Sequence, residues 1–256
     1  MGRPFGGAPL ALRSMAAEGR GKSGDGGEVV VVGGTNGIGL AIARALAARG
    51  DSVLVAGRSL ERAQSAADEI GPSCRGLAVD LTEPHDLPGA LSTVESVSAL
   101  VLTAAEPNEN SVSEFDPASA ARIASIKLTG YTSVIAALAP RFAADSAVLM
   151  FGGNAKDRPY PGSTTLTTIN AGLAGLTRAL AIDLAPVRVN TIHPGIVSDS
   201  PAWRGAPAEF LEDVRKATPT GKLVTLADVV GASLFALHNP AINGANLNVD
   251  GGSSIL

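Results

Sequence analysis

A glycine-rich turn between an apolar run and an amphipathic segment is the feature that most constrains the fold of this chain. Residues 29–32 are four valines, and the next seven residues read GGTNGIG. After the turn, apolar residues return at helical spacing, at Ile38, Ile42 and Leu46. The order is therefore strand, tight turn and helix. Such a turn suits a bound phosphate, because glycines let the backbone approach it and the helix begins with free amide groups.

Segments with strand and helix patterns alternate from residue 28 to the end of the chain. Strands are predicted at 29–32, 52–56, 75–79, 98–102, 147–151, 188–192 and 245–249. After the helix that follows the glycine-rich turn, further helices are predicted at about 60–70, 84–94, 118–139, 164–185 and 226–238. Regular alternation with short connections predicts an α/β fold, a single-domain Rossmann-type doubly wound parallel sheet with helices on both faces. The length of 256 residues suits one such domain.

Composition and charge exclude several classes of function. The net charge is −4 with no basic stripe, so we expect no nucleic-acid partner. No run of about 18 apolar residues is present, so we expect no membrane span. Cys74 is the single cysteine, no metal-ligand spacing occurs, and we predict a cytoplasmic protein without a metal. Residues 1–27 lack a signal-peptide core and are predicted to be a mobile, dispensable tail before a domain at 28–256.

Several ordered motifs resemble the short-chain dehydrogenase/reductase family over essentially all of residues 28–252. They are the G-x-x-x-G-x-G turn at 33–39, Asp80-Leu81 after the third strand, Pro194-Gly195 after the sixth strand, and NGANLNVDGG at 243–252. The resemblance implies an NAD(P)-binding domain, a small-molecule substrate and a substrate lid at about 198–222. It also implies a homodimer or homotetramer that associates through the long helices at 118–139 and 164–185.

The resemblance places the cofactor-binding residues at the ends of the predicted strands. They are Gly33, Thr35, Asn36, Gly37, Ile38, Gly39, Arg58, Ser59, Asp80, Leu81, Thr103, Ala104, Ala105, Pro194, Gly195 and Ile196. Where NAD-preferring enzymes have a carboxylate after the second strand, this chain has Arg58. Arg58 offers a planar fork to a 2′-phosphate, so we predict NADP as cofactor, with NADPH preferred over NADH. The alternative is that Arg58 only caps a surface turn.

The resemblance fails at the residues that transfer protons. The family uses a Tyr, a Lys four residues later, a Ser and an Asn. The aligned positions hold Leu166, Asn170, Gly153 and Lys127. The sequence therefore predicts a divergent member without the usual catalytic residues.

Lys127, Tyr160 and Asn170 are the candidate catalytic residues. Tyr160 lies between two prolines on the loop before the second long helix. A phenol with a pKa of about 10 needs a nearby cation to act near neutrality, and Lys127 is the candidate partner. The alternative is that Tyr160 lies on the surface and Lys127 snorkels or pairs with a carboxylate.

Three functions remain open on the sequence alone. The first is an NADP(H)-dependent oxidoreductase with a non-standard proton donor, acting on a small organic substrate such as a secondary metabolite. The second is a non-redox enzyme, a cyclase, dehydratase or isomerase, on the same scaffold. The third is a catalytically silent partner subunit. In the predicted lid, Trp203 and Phe210 either line an apolar substrate pocket, anchor the lid or contact another subunit.

Overall fold

The computed structural model describes residues 27–255, and its seven strands form one parallel sheet. The strands are β1 (Glu28–Val32), β2 (Val53–Gly57), β3 (Cys74–Ala78), β4 (Val97–Leu102), β5 (Phe142–Phe151), β6 (Arg188–Pro194) and β7 (Asn246–Val249). Their order is β3-β2-β1-β4-β5-β6-β7, and every pair of neighbours is parallel. The predicted Rossmann-type fold is confirmed. The strand order reverses between β1 and β4, where open α/β sheets bind their ligands.

Eight α-helices connect the strands within the described part of the chain. They are α1 (Gly37–Ala47), α2 (Leu60–Ile70), α3 (Leu87–Ala90), α4 (Pro117–Ala124), α5 (Tyr131–Leu138), α6 (Thr164–Asp183), α7 (Ala208–Ala217) and α8 (Leu226–His238). The predicted helix at 84–94 is wrong in length, because only the four residues of α3 are helical. Pro88 and Gly89 lie within that short segment, and both residue types oppose a longer helix. The proposed tail lies outside the described residues, apart from Gly27.

The helix predicted at 118–139 is interrupted by one turn of π-helix. Residues Ser125–Gly130 have the wider π geometry, between α4 and α5. The run Pro117–Arg141 is long and apolar enough to cross a membrane by length and composition, since an 18-residue stretch within it has a mean hydropathy of 1.2. It packs against the sheet, however, and Ile126, Val134 and Leu138 belong to the core. Packing in the core therefore accounts for its apolar composition.

The core has two layers, one on each face of the sheet. Val30 and Val32 of β1 point into the layer that contains residues of α4, α5 and α6. Val29 and Val31 point into the opposite layer, which contains residues of α1 and α8. Because both faces are covered, the central strands are continuous apolar runs rather than alternating ones. This is why the strands could be recognised in the sequence.

Candidate functional site

A cleft of about 420 Å³ lies at the point where the strand order reverses. It is formed by the segments that follow β1, β2, β3 and β4, together with residues from the predicted lid. The predicted cofactor residues that line it are Gly33, Thr35, Asn36, Gly37, Ile38, Gly39, Arg58, Asp80, Leu81, Thr103, Ala104 and Ala105. Residues far apart in the sequence thus meet because the carboxyl ends of parallel strands share one edge of the sheet.

The glycine-rich turn brings α1 into close contact with the strand that precedes it. Gly33 and Gly37 have φ angles of +87° and +54°, in the left-handed region that favours glycine. A Cβ atom on Gly39 would lie 2.3 Å from the carbonyl oxygen of Gly33 and 2.5 Å from Oγ1 of Thr103. At Gly37, by contrast, the nearest atom to a Cβ would be Cδ of Pro201, at 3.6 Å. The turn is therefore closed towards the sheet and open towards the cleft, which fits a bound pyrophosphate.

Asn36 and the first turn of α1 provide the polar groups of this cradle. The side chain of Asn36 caps the helix and accepts a hydrogen bond from the Gly37 amide, at 2.8 Å. The first amide groups of a helix lack acceptors within the helix, and its N-terminus carries a partial positive charge. The residues present therefore fit the phosphate groups of a dinucleotide.

Two further residues support the cleft from neighbouring strands. Thr103, at the end of β4, donates a hydrogen bond from Oγ1 to the carbonyl oxygen of Val32 at 3.1 Å, and so ties β4 to β1. The carboxylate of Asp80 accepts hydrogen bonds from the amide and hydroxyl of Thr82, at 2.9 and 2.7 Å. Desolvation raises the pKa of Asp80, but these hydrogen bonds and the nearby arginines outweigh it and lower the pKa overall. Asp80 is therefore an anion at the cleft.

An ion-pair chain lies at the end of β2. Nη1 of Arg58 donates to Oε1 of Glu106 at 2.6 Å, and Glu106 also accepts two hydrogen bonds from Arg122, at 2.7 and 2.8 Å. Arg58, Glu106 and Arg62 line the cleft. The hydrogen bond from Arg122 is the main reason that the pKa of Glu106 is lowered. Glu106 and Arg122 were not predicted from the sequence, because no local pattern links them to Arg58. Arg62, on α2, belongs to none of the motifs that identified the other residues.

Four predicted cofactor residues lie outside the lining of this cleft. Ser59 caps α2, and its Oγ accepts a hydrogen bond from the amide of Arg62 at 3.2 Å. Pro194 ends β6, and Gly195 and Ile196 follow it. The role of these three residues at the end of β6 therefore stays a prediction.

Lys127 is buried in the π-helical segment and bonded to two groups near the switch point. Its Nζ donates to the carbonyl oxygen of Phe151 at 2.7 Å and to Oη of Tyr131 at 3.1 Å. Oη of Tyr131 donates in turn to the carbonyl oxygen of Ala104, at 2.8 Å. Phe151 and Ala104 lie at the carboxyl ends of β5 and β4, respectively. Burial lowers the pKa of Lys127 to about 7 and raises the pKa of Tyr131.

The expected pairing of Lys127 with Tyr160 is not formed, and Tyr131 takes that place. Tyr160 is 53% exposed, and its backbone amide donates to Oγ of Ser163 at 2.9 Å. Tyr131 is fully buried and lies four residues after Lys127. Side chains at this spacing face each other on a helix, so the pairing was detectable in the sequence. The partner of Lys127 thus comes from its own helical run and not from the loop that carries Tyr160.

Comparisons with known proteins agree with this geometry. A family model described as enoyl-(acyl carrier protein) reductase matches residues 32–254. The chain belongs to the short-chain dehydrogenase/reductase family. Its relatives include an uncharacterized short-chain type dehydrogenase/reductase, y4vI, of Sinorhizobium fredii, which is 30% identical over 88% of this chain. This chain spans 42% of the length of that relative.

Two solved structures of family members have the same fold. The MalC reductase/Diels–Alderase of Malbranchea aurantiaca superposes with a TM-score of 0.82 at 26% identity, over 90% of this chain and 97% of that chain. The 3-ketoacyl-(acyl-carrier-protein) reductase of Brucella melitensis, solved in complex with NADH, has a TM-score of 0.77 at 26% identity. The match covers 90% of this chain and 99% of that reductase. Binding of a nicotinamide cofactor is thus present among the relatives of this short-chain dehydrogenase/reductase.

Gly153, Leu166 and Asn170 lie on the two segments that, in this family member, follow β5 and form α6. Asn170 is buried, and its Nδ2 lies 3.1 Å from the place that a Cβ atom on Gly153 would occupy. Leu166 is partly buried and packs against the core layer of α5 and α6. A larger residue at 153 would therefore crowd Asn170. The two positions are coupled by packing.

The predicted lid is fixed at its base and reaches the glycine-rich turn. Ser198 donates from its amide to the carbonyl oxygen of Val224, at 2.9 Å. Oδ1 of Asp199 accepts a hydrogen bond from the Leu226 amide at 2.7 Å, so this carboxylate is engaged at the start of α8. Pro201 then lines the cleft beside Gly37. The lid segment therefore borders the candidate nucleotide site.

Trp203 and Phe210 pair with each other in the lid. Their rings stack with centroids 5.6 Å apart and planes 15° apart, and the residues are 37% and 39% exposed. Neither residue is among those that line the cleft. The stack joins the first turns of the lid to α7, which agrees with a role as an anchor for the lid.

Proposed function

We propose that the protein is an NADP(H)-dependent oxidoreductase of the short-chain type, acting on a small organic substrate through a divergent proton-transfer site. The observation that carries this proposal is the composition of the cleft at the switch point. It combines a glycine cradle for the pyrophosphate with two arginines, Arg58 just after β2 and Arg62 in the first turn of α2. Relatives of the chain support the oxidoreductase class.

The charges of the cleft favour the phosphorylated cofactor. NADPH, when bound, supplies a hydride to the substrate. Arg62 and the half-exposed Arg58, which is paired with Glu106, border the place for its 2′-phosphate. No carboxylate follows β2 directly to accept from the ribose hydroxyls of NADH. Asp80 takes the adenine side of the cleft by the family resemblance. The chain's own residues thus supply both binding and cofactor preference.

Lys127 is the group we propose to hold the transferable proton. An amine whose pKa is lowered to about 7 can gain and lose a proton near neutral pH. Tyr131 positions this amine, since its hydroxyl is fixed by Ala104 and accepts from Nζ. Asn170, beside Gly153, offers an amide for orienting a substrate. In the proposed arrangement, the tyrosine beside Lys127 is therefore Tyr131, and Tyr160 takes no part.

A second function, non-redox catalysis such as cyclisation, is favoured by one observation. Leu166 and Asn170 give α6 no ionisable side chain at the positions where the resemblance expects Tyr and Lys. A ring-forming reaction needs a shaped pocket more than a proton donor, and the relative MalC is named both a reductase and a Diels–Alderase. This function would show as substrate conversion without oxidation of NADPH.

The first test is a fluorescence titration of the full-length protein with NADPH and with NADH. We expect tighter binding of NADPH, and roughly tenfold weaker NADPH binding in Arg58→Ala, because a charge-assisted contact to the 2′-phosphate is lost. Binding of NADH should be nearly unchanged in this variant. Arg49→Ala, at an exposed arginine just after α1, is the matched control and should bind both nucleotides like the wild type. Failure of the wild type to bind either nucleotide would exclude the oxidoreductase proposal.

A further inference from the structure

We propose that Glu106 sets the discrimination between NADPH and NADH by competing with the 2′-phosphate of NADPH for Arg58. This inference rests on the proposed cofactor site and adds the residue that tunes its selectivity. The carboxylate of Glu106 comes from the loop after β4, whereas Arg58 follows β2. The two therefore meet across the cleft rather than along one segment.

Of the two arginines bonded to Glu106, Arg58 is the one that can separate from it more easily. Glu106 receives one hydrogen bond from Arg58 but two from the fork of Arg122. The side chain of Arg58 is 52% exposed, and that of Glu106 is 24% exposed. A bidentate contact is stronger and better oriented than a single one. Arg122 thus holds the carboxylate in place while Arg58 turns towards another anion.

The charge of Glu106 is present under physiological conditions. Its pKa is lowered, first by the hydrogen bond from Arg122 and further by the charges of Arg122 and Arg58. An anion bonded to Arg58 partly neutralises the cation that a 2′-phosphate would use. The same anion repels a phosphate that enters the cleft beside it.

Only a cofactor with a 2′-phosphate is affected by this competition. NADPH must either break the contact between Arg58 and Glu106 or bind with its 2′-phosphate near the Glu106 carboxylate. Both weaken its binding. NADH has a free hydroxyl at this place and leaves the ion pair intact. Glu106 therefore weakens the binding of NADPH but not that of NADH. It thereby reduces the difference in affinity between the two cofactors.

The test compares Glu106→Gln with the wild type by titration with NADPH, NADH, 2′,5′-ADP and 5′-AMP. The glutamine keeps the shape but removes the charge. We expect threefold to tenfold tighter binding of NADPH and 2′,5′-ADP, within the range of partly exposed ion pairs, and no change for NADH and 5′-AMP. The gain should shrink at high salt, since exposed charges are screened.

Two further variants identify the cause of the change. Arg122→Gln leaves Arg58 as the only arginine partner of Glu106, so NADPH should bind more weakly than in the wild type. Glu109→Gln, at an exposed glutamate on the same loop, is the matched control and should not alter either affinity. It removes the same charge outside the cleft lining.

The outcomes separate this inference from the proposed function. If the wild type binds NADPH but Glu106→Gln changes NADPH and NADH equally, or changes neither, the inference is overturned and the cofactor proposal stands. If the wild type binds no nucleotide at all, both proposals fall. Selective tightening of the two 2′-phosphorylated ligands is the supporting result.

Discussion

The buried side chain of Lys127 lies in an environment very different from the solvent that usually surrounds a lysine. A buried amine is tolerated only when its hydrogen bonds are made, and Nζ finds two acceptors, in Phe151 and Tyr131. The aromatic ring of Tyr131 adds a second contact, with Nζ 5.1 Å from its centroid. These contacts do not compensate fully for desolvation, so the pKa falls to about 7. The fold therefore carries an amine that titrates near neutrality.

This lowered pKa makes stability depend on pH. The folded protein loses the Lys127 proton at about pH 7, whereas the unfolded chain keeps it up to about pH 10.5. Between these values the unfolded state binds more protons, so the free energy of unfolding rises with pH, by at most about 1.4 kcal/mol per pH unit. Below pH 7 the buried amine is charged, and the cost of its desolvation lowers the free energy of unfolding by its full amount. We expect urea denaturation to show this rise from pH 7 to pH 9.

Comparison with Lys127→Met isolates the contribution of this one group. Methionine keeps the length and removes the titration, so the variant's stability curve should be flatter than that of the wild type over the same range. Lys216→Met, at a lysine whose side chain is 63% exposed, is the control and should parallel the wild type. Parallel curves for Lys127→Met and the wild type would contradict the assignment of a neutral-range pKa to Lys127.

The elements of this fold were predictable to different degrees, for physical reasons. The strands were recognisable because both faces of the sheet are buried, and α1, α6 and α8 because their apolar faces repeat at helical spacing. The helix around α3 was overestimated because the apolar residues there extend beyond the short helical turn. The π-helical turn at Ser125–Gly130 was not predicted, because the apolar residues of 118–139 repeat like those of one continuous helix.

At the same scale, the contact between α1 and the glycine-rich turn has a direct test. A methyl group on Gly39 would meet backbone and Thr103 at distances that real Cβ atoms do not show. We expect Gly39→Ala to lower the free energy of unfolding by about 1–3 kcal/mol, because α1 must move away from the turn. The same shift should weaken NADPH binding. Urea denaturation and nucleotide titration measure the two effects.

Gly231→Ala provides the matched control for this substitution. Gly231 lies in α8, is exposed, and has no atom within 4 Å of the place that a Cβ atom would occupy. Alanine should raise the free energy of unfolding by about 0.5–1 kcal/mol there, because glycine is the poorer helix former. Equal stability of Gly39→Ala and the wild type would show that α1 can shift without loss.

For the whole molecule, topology predicted where the cleft lies but not which side chains meet in it. The resemblance named residues after β1, β2, β3 and β4, and the parallel sheet brings them to one edge. The contact of Arg58 with Glu106 and that of Lys127 with the Phe151 carbonyl group could not be predicted in this way. Glu106 is 48 positions from Arg58, and Phe151 is 24 positions from Lys127. Such pairs depend on rotamers and on loop paths, which no local pattern encodes.

One face of α6 carries small residues that would suit contact with a second copy of the chain. Its inner face supplies Leu173 and Leu180 to the core. Its outer face exposes Ala171, Gly175 and Ala179, which recur at every fourth residue. Small residues at this spacing allow two helices to approach closely, and Ile182, 77% exposed, extends the face. This agrees with the homodimer or homotetramer that the sequence resemblance predicted.

We therefore expect a dimer or tetramer in solution at micromolar concentration, measured by light scattering during size-exclusion chromatography. Ala179→Glu should shift the protein towards a smaller species, because carboxylates from symmetric copies would be buried close together. Ser65→Glu, which adds the same charge to an exposed position on α2, should leave the mass unchanged. A monomeric wild type would contradict association. If the wild type is an oligomer and Ala179→Glu leaves it intact, the interface does not include this face of α6.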